Sequence, residues 1–124
     1  DTIRSYLVET RTHMIFSGAP GPGAKEAVTN YQVLKSGGGY SLLDISIDTG
    51  RKNQIRVHMK ELGCPIAGDK QYGAHTNPIG RLCLHANELS FLHPATGQPV
   101  TFTARTPRDF NRVFRPQTEY TGRR

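Results

Sequence analysis

Residues 49–58 read TGRKNQIRVH, which puts Arg51, Lys52, Asn53, Gln54, Arg56 and His58 within ten positions and no carboxylate among them. Side chains of these types donate hydrogen bonds and attract anions, but they are poor nucleophiles. The stretch is therefore suited to steadying a negative charge, and the acid it works with must come from elsewhere. If residues 51–62 form a helix, Ile55, Met59 and Leu62 fall at i, i+4 and i+7 and make an apolar stripe. Gly63 then stands where the helix stops, and Pro65 follows the break. Lys52, Arg56 and Lys60 form a second row at i, i+4, i+8, in which neighbouring like charges repel by a few tenths of a kcal/mol (roughly) per pair. An anion would relieve that repulsion; the blander alternative is a solvated basic face, which spacing alone favours.

The elements around this helix are strands. Residues 27–35 alternate, with Ala27, Thr29, Tyr31 and Val33 on one side. The run at 36–39, Ser-Gly-Gly-Gly, is a turn. Over residues 40–48 the alternation resumes, Leu43, Ile45 and Ile47 facing one way and Asp44, Ser46 and Asp48 the other. Two such runs around glycines predict a β-hairpin. GAPGPGAK at 18–25 is a loop by its glycine and proline content, and GDKQYGAHTNPIGR at 68–81 is a long polar loop of the kind that carries function. Residues 81–85 and 88–92 alternate briefly, a turn at 93–97 leads to a further run through Val100, Phe102 and Ala104, and Thr106-Pro107-Arg108-Asp109 has the form of a helix start. Phe110, Val113 and Phe114 would dock that helix on the sheet. The order predicts an α+β fold: a largely antiparallel mixed sheet, one amphipathic helix and a short C-terminal helix, with a loose tail over 116–124.

The 124 residues fit one domain or a piece of one. No run approaches the roughly 20 apolar residues of a membrane span, and no secretory signal is visible; the start at Asp1 without an initiator Met reads as an excised segment. Sixteen Lys and Arg against ten Asp and Glu give a net charge of +6, which suits a polyanionic partner such as nucleic acid, although a basic protein without one has the same composition. Cys64 and Cys83 form no CxxC pair and predict reduced thiols in a cytoplasmic protein. A zinc site from Cys64, His75, Cys83 and His85 is disfavoured because structural zinc uses closely spaced ligand pairs.

Six ordered motifs carry a resemblance. A-x-T-x-Y-x-V at residues 27–33 is followed by T-G-R-x-x-Q-I-R-x-H at 49–58, G-x-P-I-x-G-D-x-x-Y-G at 63–73 and R-L-x-L-H-A at 81–86. L-x-F-x-H-P-x-T-G at 89–97 and a P-x-D-F ending at 107–110 complete the series. The chain resembles the C-terminal part of the catalytic domain of RluA-type pseudouridine synthases. Asn53 departs from the family's usual His, a variation read as tolerated in a supporting role.

The resemblance implies an enzyme that detaches uridine's base in ribosomal or transfer RNA, rotates it and rejoins it through carbon, with no cofactor or metal. Its nucleophilic aspartate, in an H-R-L-D-x-x-T-S-G motif, and its base-stacking tyrosine lie upstream of Asp1 in the family order, so this segment alone is expected to be inactive. By position in the motif, Arg56 is the catalytic partner of that absent aspartate. Ile55 would floor the site, and Arg51, Lys52, Gln54 and His58 are candidate substrate or RNA contacts, with packing the competing role for His58. Tyr31 and His85 are read as packing residues, Asp69 as a brace for its loop, and Arg105, Arg108, Arg112 and Arg115 as RNA contacts or solvated charges. A non-catalytic RNA-binding module is the alternative, and a structural β protein the third reading. A truncated sheet would expose apolar surface and an open edge, so self-association is expected.

Overall fold

The computed structural model describes residues 1–86 and 88–114, with backbone only for Leu89, Ser90, Phe91 and Phe102. The predicted tail at 116–124 and Arg115 lie outside the described residues. Six strands run in chain order as β1 (Thr2–Glu9), β2 (Ile15–Gly18), β3 (Lys25–Gly37), β4 (Tyr40–Ile47), β5 (Glu88–Leu92) and β6 (Pro99–Thr103). Helix α1 (Gln54–Glu61) and helix α2 (Arg108–Arg112) join them, with a single 3-10 turn at Lys70–Tyr72. One sheet has the order β2-β1-β3-β4, and β5 and β6 make a separate hairpin. All four pairings are antiparallel, so the expected α+β class holds while no parallel pair occurs among the described residues.

The β3–β4 hairpin forms where the glycines predicted it. Gly37 pairs with Tyr40, and the two loop residues, Gly38 and Gly39, have φ of 61° and 83°, a left-handed pair that costs glycine little and other residues more. Register sets one face: Ile3, Thr29 and Ile47 line up across three strands, followed by Tyr31 with Ile45 and Val33 with Leu43. Helix α1 lies on the part of this face nearest β1 and β2. Leu7, Ile15, Ala27, Val57 and Tyr72 form the core there, with Met14 against it. Farther along, Val33 and Ile47 are about half exposed, at 51% and 46%. That part of the face is therefore only partly covered among the described residues, and β4 is a sheet edge.

Strands β1 and β2 were not anticipated. Their inward residues, Ile3, Leu7 and Ile15, alternate with outward ones, but polar residues and the turn at 10–14 interrupt the pattern. Residues 81–85 were expected to alternate as a strand and do not form one. Cys83 N–H bonds to the carbonyl of Ala67 at 2.9 Å, and Arg81 reaches Asp109 at 3.2 Å, so the segment braces the 66–74 loop rather than a ladder. Helix α2 starts after Pro107, one residue later than the Thr106 cap predicted, and its Phe110 is buried. Arg81 packs over the Phe110 ring and Lys35 over that of Phe114.

Helix α1 starts three residues later than expected because Asn53 takes a left-handed conformation, φ 56°, which a helix cannot pass through but Asn tolerates. It ends as predicted. Gly63 N–H bonds Lys60 O at 3.0 Å and Cys64 N–H bonds Met59 O at 2.9 Å, with Gly63 at φ 88°, the paired arrangement that satisfies the last carbonyls of a helix.

Candidate functional site

The inward face of the helix keeps Met59 of the predicted apolar stripe but is rotated away from Leu62 toward Gln54 and His58. Gln54, Val57, His58 and Met59 are buried, Ile55 is half-buried and Leu62 is exposed. The sheet beneath explains the rotation. Ser5 on β1, Ser17 on β2 and Thr29 on β3 point hydroxyls at the helix, so polar side chains can be buried with their bonds made. Gln54 Nε2 donates to Val28 O and Thr29 Oγ1, both at 2.9 Å, and its Oε1 accepts from Thr49 Oγ1 at 2.7 Å and Arg51 N at 3.1 Å. Thr29 Oγ1 is 2.6 Å from His58 Nδ1, Ser5 Oγ is 2.8 Å from His58 Nε2, and Ser17 Oγ is 2.9 Å from Ser5 Oγ. Ser17 Oγ also donates to the Glu61 carboxylate.

Each hydroxyl has one hydrogen, which fixes the direction of this chain. Ser17 gives its hydrogen to Glu61, so Ser5 gives to Ser17, and His58 Nε2–H gives to Ser5. Nδ1 is then the acceptor and takes the hydrogen of Thr29, whose oxygen is free to accept from Gln54. Gln54 and His58, candidate RNA contacts from their types, are corrected by this geometry. They are 3% and 0% exposed, and a polymer cannot reach side chains that are closed in and fully bonded. They fix the helix on the sheet. Burial lowers the His58 pKa below its ordinary value, with Glu61 acting more weakly in the opposite direction.

Above the helix surface the cations do not stand in an unpaired row. Lys52 precedes α1 and bonds Glu9 Oε2 at 3.0 Å; that ammonium, and then His13, hold the Glu9 carboxyl below its usual range. Arg51 Nε donates to Glu26 O at 2.9 Å on the exposed side. Lys60 is exposed. Arg56 is different. Its side chain is 21% exposed, and the guanidinium lies over the Tyr72 ring, 4.9 Å from its centre.

The partner of Arg56 is inside this chain. Nε bonds Asp69 Oδ2 at 3.0 Å and Nη2 bonds Asp69 Oδ1 at 2.8 Å, a two-point pairing with a carboxylate whose side chain is only 1% exposed. Gln71 Oε1 accepts from Nη2 at 3.0 Å, and Asn53 Oδ1 lies 3.4 Å from Nη1. Asn53 Nδ2 and Ile15 N reach the buried Tyr72 hydroxyl at 3.3 and 3.4 Å. Asp69 raises the Arg56 pKa above its already high value, so the guanidinium stays charged. Asp69, expected to brace its own loop, directs its carboxylate to Arg56 instead. A charged, oriented guanidinium at the protein surface can bind and steady an anion.

Metal chemistry has no comparable cluster: among the described residues no three of His, Cys, Asp and Glu gather as ligands, and Cys64 is exposed while Cys83 is half-buried. No helix among them is long and apolar enough to cross a membrane.

The family model for RNA pseudouridylate synthase matches residues 1–61, which include the strands under the helix and Arg56. An uncharacterized RNA pseudouridine synthase of Chloroflexus aurantiacus is 43% identical over 96 residues, covering 76% of this chain and 30% of that protein. The ribosomal large subunit pseudouridine synthase D of Neisseria meningitidis is 42% identical over 99 residues, covering 70% and 26%. The uncharacterized RNA pseudouridine synthase YhcT of Bacillus subtilis is 35% identical over 116 residues, covering 92% and 38%. The chain thus spans between 26% and 38% of the length of these three relatives. In three dimensions it is similar to human RNA pseudouridylate synthase domain containing 4, with a TM-score of 0.68 and 24% identity, covering 91% of this chain and 54% of that one; the likeness is one of fold. With the motif series of residues 27–110, these matches identify the chain as a member of the RluA-type RNA pseudouridine synthase family.

Proposed function

We propose that residues 1–124 are the C-terminal portion of the catalytic domain of an RNA pseudouridine synthase that isomerises uridine to pseudouridine in ribosomal or transfer RNA. Arg56 is the residue on which the reading turns. The observation that carries it is a charged guanidinium within the Q-I-R-x-H motif, held in one orientation, with one edge bonded to Asp69 and the other meeting only the neutral side-chain oxygens of Gln71 and Asn53 among the described residues. A nucleophilic aspartate supplied by the parent polypeptide would meet that outer edge. In a closed site such a carboxyl tends to take up a proton, and a neighbouring guanidinium lowers its pKa by roughly 1–3 units, keeping it ionised for attack. Arg51 and Lys52, which are exposed, are the phosphate contacts of this reading. Ile55, beside Arg56 and half-buried, packs at the floor.

This chain alone contains no H-R-L-D motif and is expected to be inactive. The test is release of tritium from RNA labelled at uridine C5, measured for the full-length parent, its Arg56→Ala variant and residues 1–124 alone. The parent should turn over, the variant should lose most turnover while still binding RNA, and the segment should release nothing. Turnover by the segment refutes the assignment of the nucleophile. Equal loss of RNA binding and turnover in the variant makes Arg56 a phosphate contact, and an inactive parent that binds RNA favours the binding-module reading. The half-exposed face around Val33 and Ile47 and the β4 edge, unpaired among the described residues, support self-association of the segment, which gel filtration tests directly; a monomer at every concentration excludes it.

A further inference from the structure

Of the five guanidinium hydrogens of Arg56, four have acceptors among the described residues. The Nε–H and one Nη2–H go to Asp69 at 3.0 and 2.8 Å. The second Nη2 hydrogen goes to Gln71 Oε1 at 3.0 Å on the exposed side, and among the described residues Nη1 has only the 3.4 Å approach of Asn53 Oδ1. The Nε/Nη2 edge is therefore committed to a carboxylate. The Nη1/Nη2 edge faces two neutral amide oxygens, which a charged acceptor would displace.

The backbone decides which member of the pair holds the other. Asp69 N–H donates to Ile66 O at 2.9 Å, and Asp69 O accepts from Tyr72 N at 3.2 Å and Ala74 N at 3.0 Å. The preceding residue, Gly68, sits at φ 83° with its N–H on Thr76 O at 2.8 Å. A Cβ added there would overlap the Arg81 carbonyl oxygen, so the loop is clamped against the 81–83 segment. Asp69 has a short side chain on this fixed frame, whereas Arg56 reaches it through a long, flexible stem. The aspartate is the anchor and the arginine is what it aims.

We propose that Asp69 is a positioning residue that acts through Arg56, gripping the inner edge of the guanidinium so that its Nη1/Nη2 edge is presented to an incoming carboxylate. This rests on the role given to Arg56 above, and it adds that the acid inside this chain orients the base rather than attacking substrate. Two measurements separate the two ideas. In this chain, 15N spectra of the arginine side chains read the grip directly. Pinned on both sides, the wild-type Arg56 should show a slowly exchanging Nε–H and resolved Nη hydrogens, which should average together in Asp69→Asn. An Arg56 that is averaged in the wild type, or unchanged in the variant, overturns the proposal.

In the full-length parent, Asp69→Asn should lower kcat about tenfold or more with KM for RNA within about twofold. Added to Arg56→Ala, it should cause no further loss. A rise in KM alone, or a double variant clearly slower than Arg56→Ala, shows Asp69 acting other than through Arg56 and overturns it as well. Should Asp69→Asn fail to fold, Asp69→Glu takes its place, since its extra methylene shifts both oxygens while keeping the charge; the same kcat loss and the same averaging are expected. A wild-type parent without turnover would remove the enzymatic reading and leave the guanidinium spectra to judge the role of Asp69.

Discussion

His58 gives the interface between helix and sheet a dependence on pH whose sign follows from its surroundings. The ring is fully buried, it donates from Nε2 to Ser5, and its Nδ1 accepts from Thr29. A proton added at Nδ1 would turn Thr29 away from its acceptor and place a charge among hydroxyls. Among the described residues, Glu61 is the charge that acts on it, two hydroxyls away, and it only partly offsets the burial. The folded-state pKa is thus below the ordinary histidine value of 6.5, so the unfolded chain takes up the proton first. The stability due to neutral His58 is fully present above about pH 6.5 and is lost as pH falls from there through the folded pKa.

For one proton the slope is about 1.4 kcal/mol per pH unit, which makes the expected loss between pH 7.5 and pH 5.5 at most about 1.4 kcal/mol, because only the lower unit lies beneath the unfolded pKa. Urea unfolding read by circular dichroism should show the midpoint falling by roughly 1 M over that interval. The comparison is His58→Gln, which retains the other four histidines, so their contributions cancel. Its midpoint should move less with pH than that of the wild type. Equal pH dependence in the two proteins, or a wild type that gains stability on acidification, refutes the assigned tautomer and the dominance of burial over Glu61.

Two further outcomes are expected. Arg56→Ala leaves the Asp69 carboxylate buried without its cation and should destabilise this chain by about 3–5 kcal/mol, with Arg56→Ala/Asp69→Asn recovering part of the loss; a thermal melt in which the double variant is the less stable contradicts the pairing. Gly68→Ala combines a left-handed φ with overlap against the Arg81 carbonyl and should cost on the order of 1–3 kcal/mol, while averaging the Arg56 guanidinium as Asp69→Asn does. A Gly68→Ala protein with wild-type melting would mean that the 66–74 loop is not clamped.

Local chemistry made some of this architecture legible. Consecutive glycines predicted the β3–β4 turn because few other residues accept two left-handed conformations in succession, and Gly63 marked the helix end for a related reason. The inward face of α1 was legible only in Met59, which is buried as the stripe predicts. A rule that buries apolar residues selects Ile55, Met59 and Leu62, whereas the sheet buries Gln54 and His58 with hydroxyls from positions 5, 17 and 29. Those partners come from three strands far away in sequence, and nothing in residues 51–62 announces them. The basic row failed in the same way: Lys52 and Arg56 read as mutually repelling only while Glu9 and Asp69 were out of view.

The absence of a carboxylate from residues 49–58 accordingly has a structural resolution as well as a functional one. Asp69 arrives from a loop thirteen positions on and occupies the inner edge of Arg56. A second carboxylate at the outer edge would share the guanidinium with the first, and each would feel the other's charge through it. The lowering of that second pKa should then lie toward the small end of the roughly 1–3 units one arginine can provide. Orientation, more than charge, is what Asp69 contributes to such a site: replacing it with a neutral residue frees more of the positive charge for the second carboxylate yet removes the fixed edge that aims it. An Asp69→Asn parent whose activity fell despite a more acidic nucleophile would separate these two effects, since charge alone predicts the opposite change.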